Sequence, residues 1–251
     1  MIRLGIRVRA DRAETALADL LPLLAAGAEE RAADGCVEYA LYGPAAELPT
    51  REDVRRLAGD ALVDVVSERV ADGWERRWHE FLRPVRAGGL VVRPPWVEGA
   101  ADDLVIDPGV FFGAGAHPTT RLCLELLQTL SPGGSLCDWG AGTGVLAVAA
   151  ARLGWGPVTA VELDAAALPL IAANAGRNGV AVTAHAGDRP VAAGTVVANL
   201  PRPALLSAPI AAERVIASGM LAGEVDDVVA ALGTREVKRR VDGEWAAVLL
   251  S

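Results

Sequence analysis

The sequence predicts an α/β fold, a doubly wound and mostly parallel sheet preceded by a small α+β domain of the ferredoxin-like kind. From residue 104 onward, short apolar segments alternate with helical ones, which is typical of a parallel sheet with helices on both faces. Over the first part of the chain the order is strand, helix, strand, strand, helix, strand, as in a split βαβ sandwich. We therefore expect a domain at 1–70, a linker helix and anchoring strand at 71–103, and a larger domain at 104–251.

The N-terminal elements follow from hydrophobic periodicity. Residues 2–9 alternate between apolar and mostly arginine side chains, which predicts a half-buried strand. Thr50, with Asp53 three positions later, predicts a capped helix N-terminus. The remaining elements are a helix over 12–26, a β-like segment over 29–43 split by the turn pair Asp34-Gly35, a helix ending near 58 and a strand over 61–69.

Residues 73–100 break this pattern. Trp74, Trp78 and Phe81 fall at helical spacing and predict a linker helix. We expect these aromatic side chains to pack between the two domains rather than to bind a ligand. A strand at 90–92 follows the helix.

The larger domain carries the alternating elements. It begins with a helix over 120–130 and ends in two strands, 236–241 and 245–250, joined at Asp242-Gly243. This tail predicts an antiparallel hairpin on the edge of the sheet. The elements between are strand 135–138, helix 145–153, strand 157–162, helix 165–178, strands 180–184 and 195–199, helix 203–212, strand 214–218 and helix 222–232.

Composition narrows the class of protein. The chain has 251 residues, of which 52% are apolar and 22% charged, which indicates a globular protein with an ample core. No apolar stretch reaches the roughly 18 residues of a membrane-spanning helix, and early arginines argue against a signal peptide. The net charge of −8 argues against direct nucleic-acid binding and suits a basic protein or a small molecule. Cys36, Cys123 and Cys137 lack metal-type spacing, so we expect reduced thiols, a cytoplasmic location and no metal site.

The most informative segment is a glycine loop between a short apolar strand and an alanine-rich helix. Asp138 is followed at alternate positions by Gly140, Gly142 and Gly144. Glycines at such a turn let a ligand approach the backbone, and we expect the free N–H groups of the helix to face that ligand. A dinucleotide fingerprint would place its third glycine at Val145, so the spacing disfavours a dinucleotide. It resembles instead the first motif of the S-adenosylmethionine methyltransferases.

Two polar residues end neighbouring strands of the predicted sheet. Glu162 follows the strand after the glycine loop, where a carboxylate reaches the ribose of a nucleoside cofactor and accepts from its hydroxyls. We expect Asp164 to start the next helix as its N-cap. Asn199 ends a later strand and faces the same crevice, because ligands bind at the carboxyl ends of parallel strands. Its side chain and a neighbouring carbonyl can accept hydrogen bonds from an amine, so we predict Asn199 as the catalytic residue and a cofactor contact.

A second glycine-rich loop, 107–117, opens a helix. We expect Thr119 or Thr120 to cap this helix and to offer a hydroxyl to the charged end of the cofactor. His117, next to a proline in this loop, is more consistent with a hydrogen-bonding strut than with a catalytic base.

These motifs together resemble the ribosomal protein L11 methyltransferase family (PrmA), and the resemblance covers most of the chain. The motifs are Phe112-Gly113-x-Gly115-x-His117-Pro118-Thr119-Thr120, Asp138-x-Gly140-x-Gly142-x-Gly144, Glu162-x-Asp164 and Ala198-Asn199. The antiparallel end of the sheet is similarly what a class I methyltransferase domain has. The resemblance implies S-adenosylmethionine as cofactor and trimethylation of lysine side chains and of the N-terminal amine of protein L11. It also implies that the N-terminal domain binds this substrate, and that Thr120, Gly140, Glu162 and Asn199 contact the cofactor.

The chain departs from the family pattern at several positions. Ala114 and Glu162 stand where family members usually have Thr and Asp, and Leu200-Pro201 begins a segment that is usually Ile-Leu-Ala. Two alternatives therefore stay open. One is a class I methyltransferase that acts on another protein or on a small molecule, and the other is a non-catalytic adenosylmethionine-binding protein.

Overall fold

The computed structural model describes residues 2–20, 23, 28–33, 35–43, 48–69 and 82–251. The chain divides into two compact units, Met1–Phe81 and Leu82–Ser251. The predicted linker helix with Trp74, Trp78 and Phe81 lies outside the described residues, as does Asp34 of the predicted turn.

Within the ranges that the structure describes, the first unit contains an antiparallel sheet and two helices. The sheet has the strand order β2-β3-β1-β4, the order of the ferredoxin-like sandwich that the sequence predicts. Its elements are β1 (Ile2–Arg9), α1 (Ala13–Leu20), β2 (Glu29–Ala33), β3 (Cys36–Gly43), α2 (Arg51–Ala58) and β4 (Leu62–Arg69). The predicted extension of α1 to residue 26 falls largely outside the described ranges.

Alternation along β1 divides the first sheet into a packed face and a polar face. Leu4, Ile6 and Val8 belong to a core that includes residues of both helices. Helix α2 begins as predicted, because Thr50 Oγ1 accepts a hydrogen bond from Asp53 N while the Asp53 carboxylate accepts from Thr50 N. This reciprocal cap fixes where the helix starts.

The second unit contains a seven-stranded sheet in the order β10-β9-β8-β11-β12-β14-β13. Strands β8 to β12 are parallel, and β14 runs antiparallel to both β12 and β13. The strands are β8 (Leu136–Trp139), β9 (Val158–Glu162), β10 (Thr183–Ala186), β11 (Thr195–Asn199), β12 (Arg214–Leu221), β13 (Glu236–Asp242) and β14 (Trp245–Leu250). The predicted doubly wound sheet with an antiparallel terminal hairpin is confirmed.

Two separate cores cover the two faces of this sheet. One contains side chains of the first three helices of the unit and the other those of the last two, and β8 is buried along its whole length. The helices are α3 (Pro118–Leu127), α4 (Val145–Leu153), α5 (Leu168–Arg177), α6 (Arg202–Leu205) and α7 (Val225–Leu232). A small sheet of β5 (Val85–Ala87), β6 (Leu90–Arg93) and β7 (Leu104–Val105) precedes them.

Some predicted boundaries are wrong. The helix expected at 203–212 is only Arg202–Leu205, because Ser207 Oγ binds the Ala204 carbonyl and Pro209 cannot continue the helix. Strands β5 and β7, of three and two residues, were not predicted, because segments this short show no period.

Strand β13 is the open edge of the large sheet. Five of its seven residues are charged, a composition that discourages pairing with another strand. One of them, Lys238, is the single lysine in the 251 residues. Among the described residues no helix has the length and apolar character needed to cross a membrane.

Candidate functional site

The carboxyl ends of three neighbouring strands meet at one edge of the large sheet. Trp139 at the end of β8 is in register with Val161 of β9 on one side and with Ala198 of β11 on the other. Gly140, Glu162 and Asn199 directly follow Trp139, Val161 and Ala198 in the chain, so these three residues lie at neighbouring positions. The structure brings together the three positions that the sequence assigned to one crevice.

The glycine loop has a backbone that only glycine adopts readily. Gly140, Gly142 and Gly144 have φ angles of +74°, +53° and +79°. A Cβ on Gly142 would lie 2.3 Å from the carbonyl oxygen of Phe112, a backbone atom that cannot turn away. At Gly140 the nearest atom, also at 2.3 Å, is Cδ2 of the Leu200 side chain. The loop is therefore shaped by glycine at each of these positions.

The N–H groups of this loop are bonded within the protein, and so are those of Val145 and Ala147 in the first turn of α4, contrary to the expectation that the N–H groups of the helix face a ligand. Gly140 N and Ala141 N both donate to the Val161 carbonyl, at 2.8 and 3.1 Å. Gly142 N donates to Glu162 Oε2 at 2.8 Å, and Thr143 N donates to the Phe112 carbonyl at 3.0 Å. The strand ends and the second loop thus take up these donors, and the glycines contribute a tight turn without side chains instead of free N–H groups.

Asp138 lies beneath the glycine loop and is completely buried. Its Oδ2 accepts a hydrogen bond of 2.9 Å from Ala147 N in the first turn of α4, and among the described residues Oδ1 has no partner. Burial raises the pKa of Asp138 to about 7. The hydrogen bond from Ala147 N lowers this pKa in part, and the nearby Glu162 charge raises it further. The geometry is that of a cap on α4, so Asp138 touches the helix that follows the loop.

Glu162 holds its carboxylate above the loop. One oxygen accepts from Gly142 N and the other from Asp164 N at 3.2 Å. A carboxylate has about four acceptor positions, so two stay available for hydroxyl donors. Asp164 caps the following turn through a 2.9 Å bond from Ala166 N to its Oδ1, which confirms its predicted role.

The predicted cap of α3 is wrong. The N-cap is His117, whose Nδ1 accepts from Thr119 N at 3.4 Å and lies 2.8 Å from Thr119 Oγ1. Thr119 and Thr120 are buried inside the first turn, and Thr120 Oγ1 accepts a 3.4 Å bond from Asn199 Nδ2. The sequence favoured threonine because hydroxyls are the commoner caps, but Pro118 occupies the first helical position, so the cap is His117, two residues before Thr119.

His117 is a strut, as expected, in an aromatic setting. Its ring packs edge-to-face against Phe112 and Trp245, with centroid distances of 5.2 and 5.0 Å. Burial, together with the neighbouring Arg121 charge, lowers the pKa of His117. The imidazole is therefore held neutral as a hydrogen-bond acceptor for the helix.

Sequence reasoning missed the contacts that join the two loops. Thr143, fully buried, donates from Oγ1 to the Gly113 carbonyl at 2.8 Å. Its own carbonyl accepts from Asn174 Nδ2 of α5 at 2.9 Å. The available signal was an asparagine inside a helix, where that residue type is disfavoured unless its amide has partners.

The thiols of the second unit are buried and inactive. Burial raises the pKa of Cys137 to about 11 and raises that of Cys123 as well. Over the ranges that the structure describes, no group of three or more His, Cys, Asp or Glu side chains could hold a metal ion.

Comparison with known proteins identifies the family. The family described as ribosomal protein L11 methyltransferase (PrmA) matches residues 45–250. The "Ribosomal protein L11 methyltransferase" of Pelotomaculum thermopropionicum is 40% identical over 230 residues, covering 83% of this chain and 70% of that protein. The protein of that name from Thermus thermophilus is 38% identical over 205 residues, 74% of this chain and 80% of the relative.

A solved structure supports the fold. The ribosomal protein L11 methylase from Lactobacillus delbrueckii subsp. bulgaricus aligns with a TM-score of 0.61 at 23% identity, over 67% of this chain and 97% of that one. The motifs at the strand ends, the sheet topology and these matches agree. The chain therefore belongs to the ribosomal protein L11 methyltransferase (PrmA) family of S-adenosylmethionine-dependent methyltransferases.

Proposed function

We propose that this protein methylates amines of ribosomal protein L11, namely lysine side chains and the N-terminal amine. The observation that carries the proposal is the convergence of Gly140, Glu162 and Asn199 at adjacent strand ends. It is supported by the 40% identity of this chain to the "Ribosomal protein L11 methyltransferase" of Pelotomaculum thermopropionicum. The residues predicted to bind the cofactor belong to the same proposal, either as contacts (Gly140, Gly142, Gly144, Glu162 and Asn199) or as buried residues that support these contacts (Thr119, Thr120 and Asp138).

The residues present fit S-adenosylmethionine. Gly140 and Gly142 add no side chain of their own to the turn, and Glu162 has acceptor positions for two ribose hydroxyls. Each such bond to a charged acceptor contributes about 1.5–3 kcal/mol. Asp138 supports the site by capping α4, and Thr119 supports it through the His117 cap. When bound, the cofactor supplies a methyl group on a sulfonium, which is already an activated leaving group.

Asn199 is proposed to position the acceptor amine. Its Nδ2 donates to Thr120 Oγ1, which orients the amide and leaves Oδ1 as an acceptor for an amine N–H. Holding the amine in line with the methyl group can lower the barrier by roughly 7–11 kcal/mol. The buried Thr120 thus acts through Asn199.

The acceptor amine must first lose a proton. For a lysine with pKa near 10.4, this costs about 4–5 kcal/mol at pH 7, whereas an α-amine near 7.7–8.0 needs only about 1 kcal/mol. A desolvating crevice reduces the cost for lysine. His117 binds the backbone of α3 and is held there, so we assign deprotonation to solvent and positioning to Asn199.

The acidic chain suits a basic protein substrate. With a net charge of −8, it attracts a lysine-rich partner and repels nucleic acid. The unit that contains residues 1–70 is proposed to recognise the substrate, residues 71–103 to link it to the domain at 104–251, and the protein to work in the cytoplasm, where ribosomal proteins are.

The test is methyl transfer from radiolabelled S-adenosylmethionine to purified L11 and to a cell lysate. Label on L11, at lysine and the N-terminal amine, supports the proposal. Label only on another protein or a metabolite would support the first alternative, a methyltransferase with a different acceptor. Binding of the cofactor without any labelled product would support the second alternative, a binding protein.

Asn199→Ala tests the positioning role. We expect kcat to fall by about 100-fold while the affinity for S-adenosylhomocysteine falls much less, because an in-line arrangement is lost. A wild-type rate at unchanged cofactor affinity would contradict the role of Asn199.

A further inference from the structure

Two buried asparagines lie one turn apart at the end of helix α5: Asn174 is in its last turn and Asn178 is its C-cap. Asparagine is a poor residue for a helix, and a buried amide is unfavourable unless its donors and acceptor are bonded. Both side chains bind the same segment of chain, which contains Val105 and Asp107 and runs into the second glycine-rich loop, 107–117.

Asn178 pairs with the backbone of one residue of β7. Its Oδ1 accepts from Val105 N at 2.9 Å, and its Nδ2 donates to the Val105 carbonyl at 2.7 Å. The second Nδ2 hydrogen goes to the Asn174 carbonyl of its own helix at 2.8 Å. Asn178 therefore binds strand and helix only.

Asn174 repeats this pairing two residues further along. Its Oδ1 accepts from Asp107 N at 2.9 Å and also from Arg177 Nη1 at 3.1 Å, and its Nδ2 donates to the Asp107 carbonyl at 2.9 Å. The remaining Nδ2 hydrogen goes to the Thr143 carbonyl in the glycine loop, also at 2.9 Å. The Asn174 amide thus joins Asp107, at the start of the second glycine-rich loop, to Thr143 in the glycine loop that follows β8.

The two amides take the place of a neighbouring strand. In an extended chain the N–H and C=O groups of alternate residues point to the same side. Ile106 N binds the Arg93 carbonyl of β6, while the backbones of Val105 and Asp107 face the opposite way and bind the asparagines. The segment is therefore held on both sides as it enters the loop.

Thr143 is the point where these restraints converge. Its N–H binds the Phe112 carbonyl, its hydroxyl binds the Gly113 carbonyl and its own carbonyl accepts from Asn174. Without Asn174, the buried carbonyl of Thr143 and both backbone groups of Asp107 would lose their partner. Gly142, next to Thr143, would lose support from the α5 side.

We propose that Asn174 is a positioning residue of the cofactor site. It holds the glycine loop after β8 and the second glycine-rich loop, 107–117, in one arrangement, whereas Asn178 only anchors β7. The inference rests on the proposed function, because it assigns Asn174 an effect on cofactor affinity. A purely structural role would make the two asparagines equivalent, since each makes three hydrogen bonds to backbone groups.

The experiment compares Asn174→Ala with Asn178→Ala in the full chain, with S-adenosylhomocysteine as the probe ligand in isothermal titration. Both variants should show a lower melting temperature. We expect Asn174→Ala to weaken binding about tenfold and Asn178→Ala to change it by less than about twofold. If Asn174→Ala does not fold, Asn174→Ser replaces it, because its hydroxyl fills part of the space.

Hydrogen–deuterium exchange without ligand gives an independent readout. Exchange should accelerate across 107–117 and 139–147 in the Asn174 variant, but only around 104–106 in the Asn178 variant. Equal weakening of binding in the two variants, or unchanged exchange at 139–147 in the Asn174 variant, would overturn the inference. If the wild type failed to bind the probe, the proposed function and the effect on affinity would both be wrong, while exchange would still decide whether Asn174 orders the glycine loop.

Discussion

Glu38 in the first unit and Asp138 in the second are both buried carboxylates, and their surroundings differ in kind. Glu38 lies on the polar face of the antiparallel sheet, where Arg7 Nε donates to it at 2.6 Å and Arg3 donates as well. These hydrogen bonds, that from Arg7 first, lower the pKa of Glu38. Asp138 has one backbone N–H as partner, and burial raises its pKa to about 7.

The difference shows what each region requires of its polar groups. In the first unit, the charge of Glu38 is balanced by two side chains of the same sheet, which suits a polar sheet face. At the edge where the parallel strands of the second sheet end, buried polar side chains bind backbone groups: Asp138 binds the first turn of a helix, and Thr143 and Asn174 bind loops. Such bonds fix the course of the chain, so this edge should be sensitive to shape and the first sheet to charge.

The largest effect is expected from Gly142→Ala. The new Cβ would lie 2.3 Å from the Phe112 carbonyl at a positive φ, which should cost about 3 kcal/mol and weaken S-adenosylhomocysteine binding about 100-fold. Gly179→Ala is the matched control, since Gly179 has φ +64° with nothing within 4 Å of the added atom. It should cost about 1 kcal/mol and leave binding unchanged. Similar binding by both variants would show that the close approach of Gly142 to the Phe112 carbonyl is not required for cofactor binding.

Asp138→Asn tests the raised pKa. Folded Asp138 retains a proton up to about pH 7, whereas the unfolded chain loses it near 3.8. The unfolding free energy of the wild type should therefore fall by about 2 kcal/mol from this group between pH 5 and pH 7. The asparagine can still accept from Ala147 N, and its variant should lack this part of the slope in urea unfolding. Parallel pH profiles of the two proteins would contradict the assignment.

The smallest effect is expected from Glu38→Gln, with the opposite pH dependence. A lowered pKa gives stability that is complete above about pH 4.5 and is lost as the pH falls through the folded value. We expect a loss of about 1 kcal/mol at pH 7, modest because the Arg7 side chain is 45% exposed and screened by solvent. Glu68→Gln, at a carboxylate 60% exposed, should change stability by less than about 0.5 kcal/mol. The two variants can be compared by urea unfolding, and equal losses would mean that burial of Glu38 adds nothing.

The elements with a clear period were predictable from the sequence. Strand β1 (Ile2–Arg9), helix α4 (Val145–Leu153) and strand β11 (Thr195–Asn199) have the predicted limits, because side-chain periodicity and turn residues act on the same positions. Helix α6 was predicted too long, since the apolar spacing continues past Pro209 while the backbone cannot.

The site was predictable to the extent that strand ends locate it. The convergence of Gly140, Glu162 and Asn199 follows from parallel topology alone. The cap by His117 and the hydrogen bonds of the Asn174 side chain could not be predicted in this way, because they depend on which side chain reaches a backbone group in three dimensions. The occupied N–H groups of the glycine loop were unforeseeable for the same reason, since their acceptors come from β9 and from Phe112.

The charged edge strand β13 makes the protein convenient for tracing its own product. Lys238 is the only lysine side chain in the 251 residues that could become methylated. A Lys238→Arg variant keeps the positive charge on that edge and removes the side chain. With this variant, any methyllysine found by mass spectrometry in a reaction mixture must belong to the acceptor, so modified positions can be mapped without purifying the catalyst away.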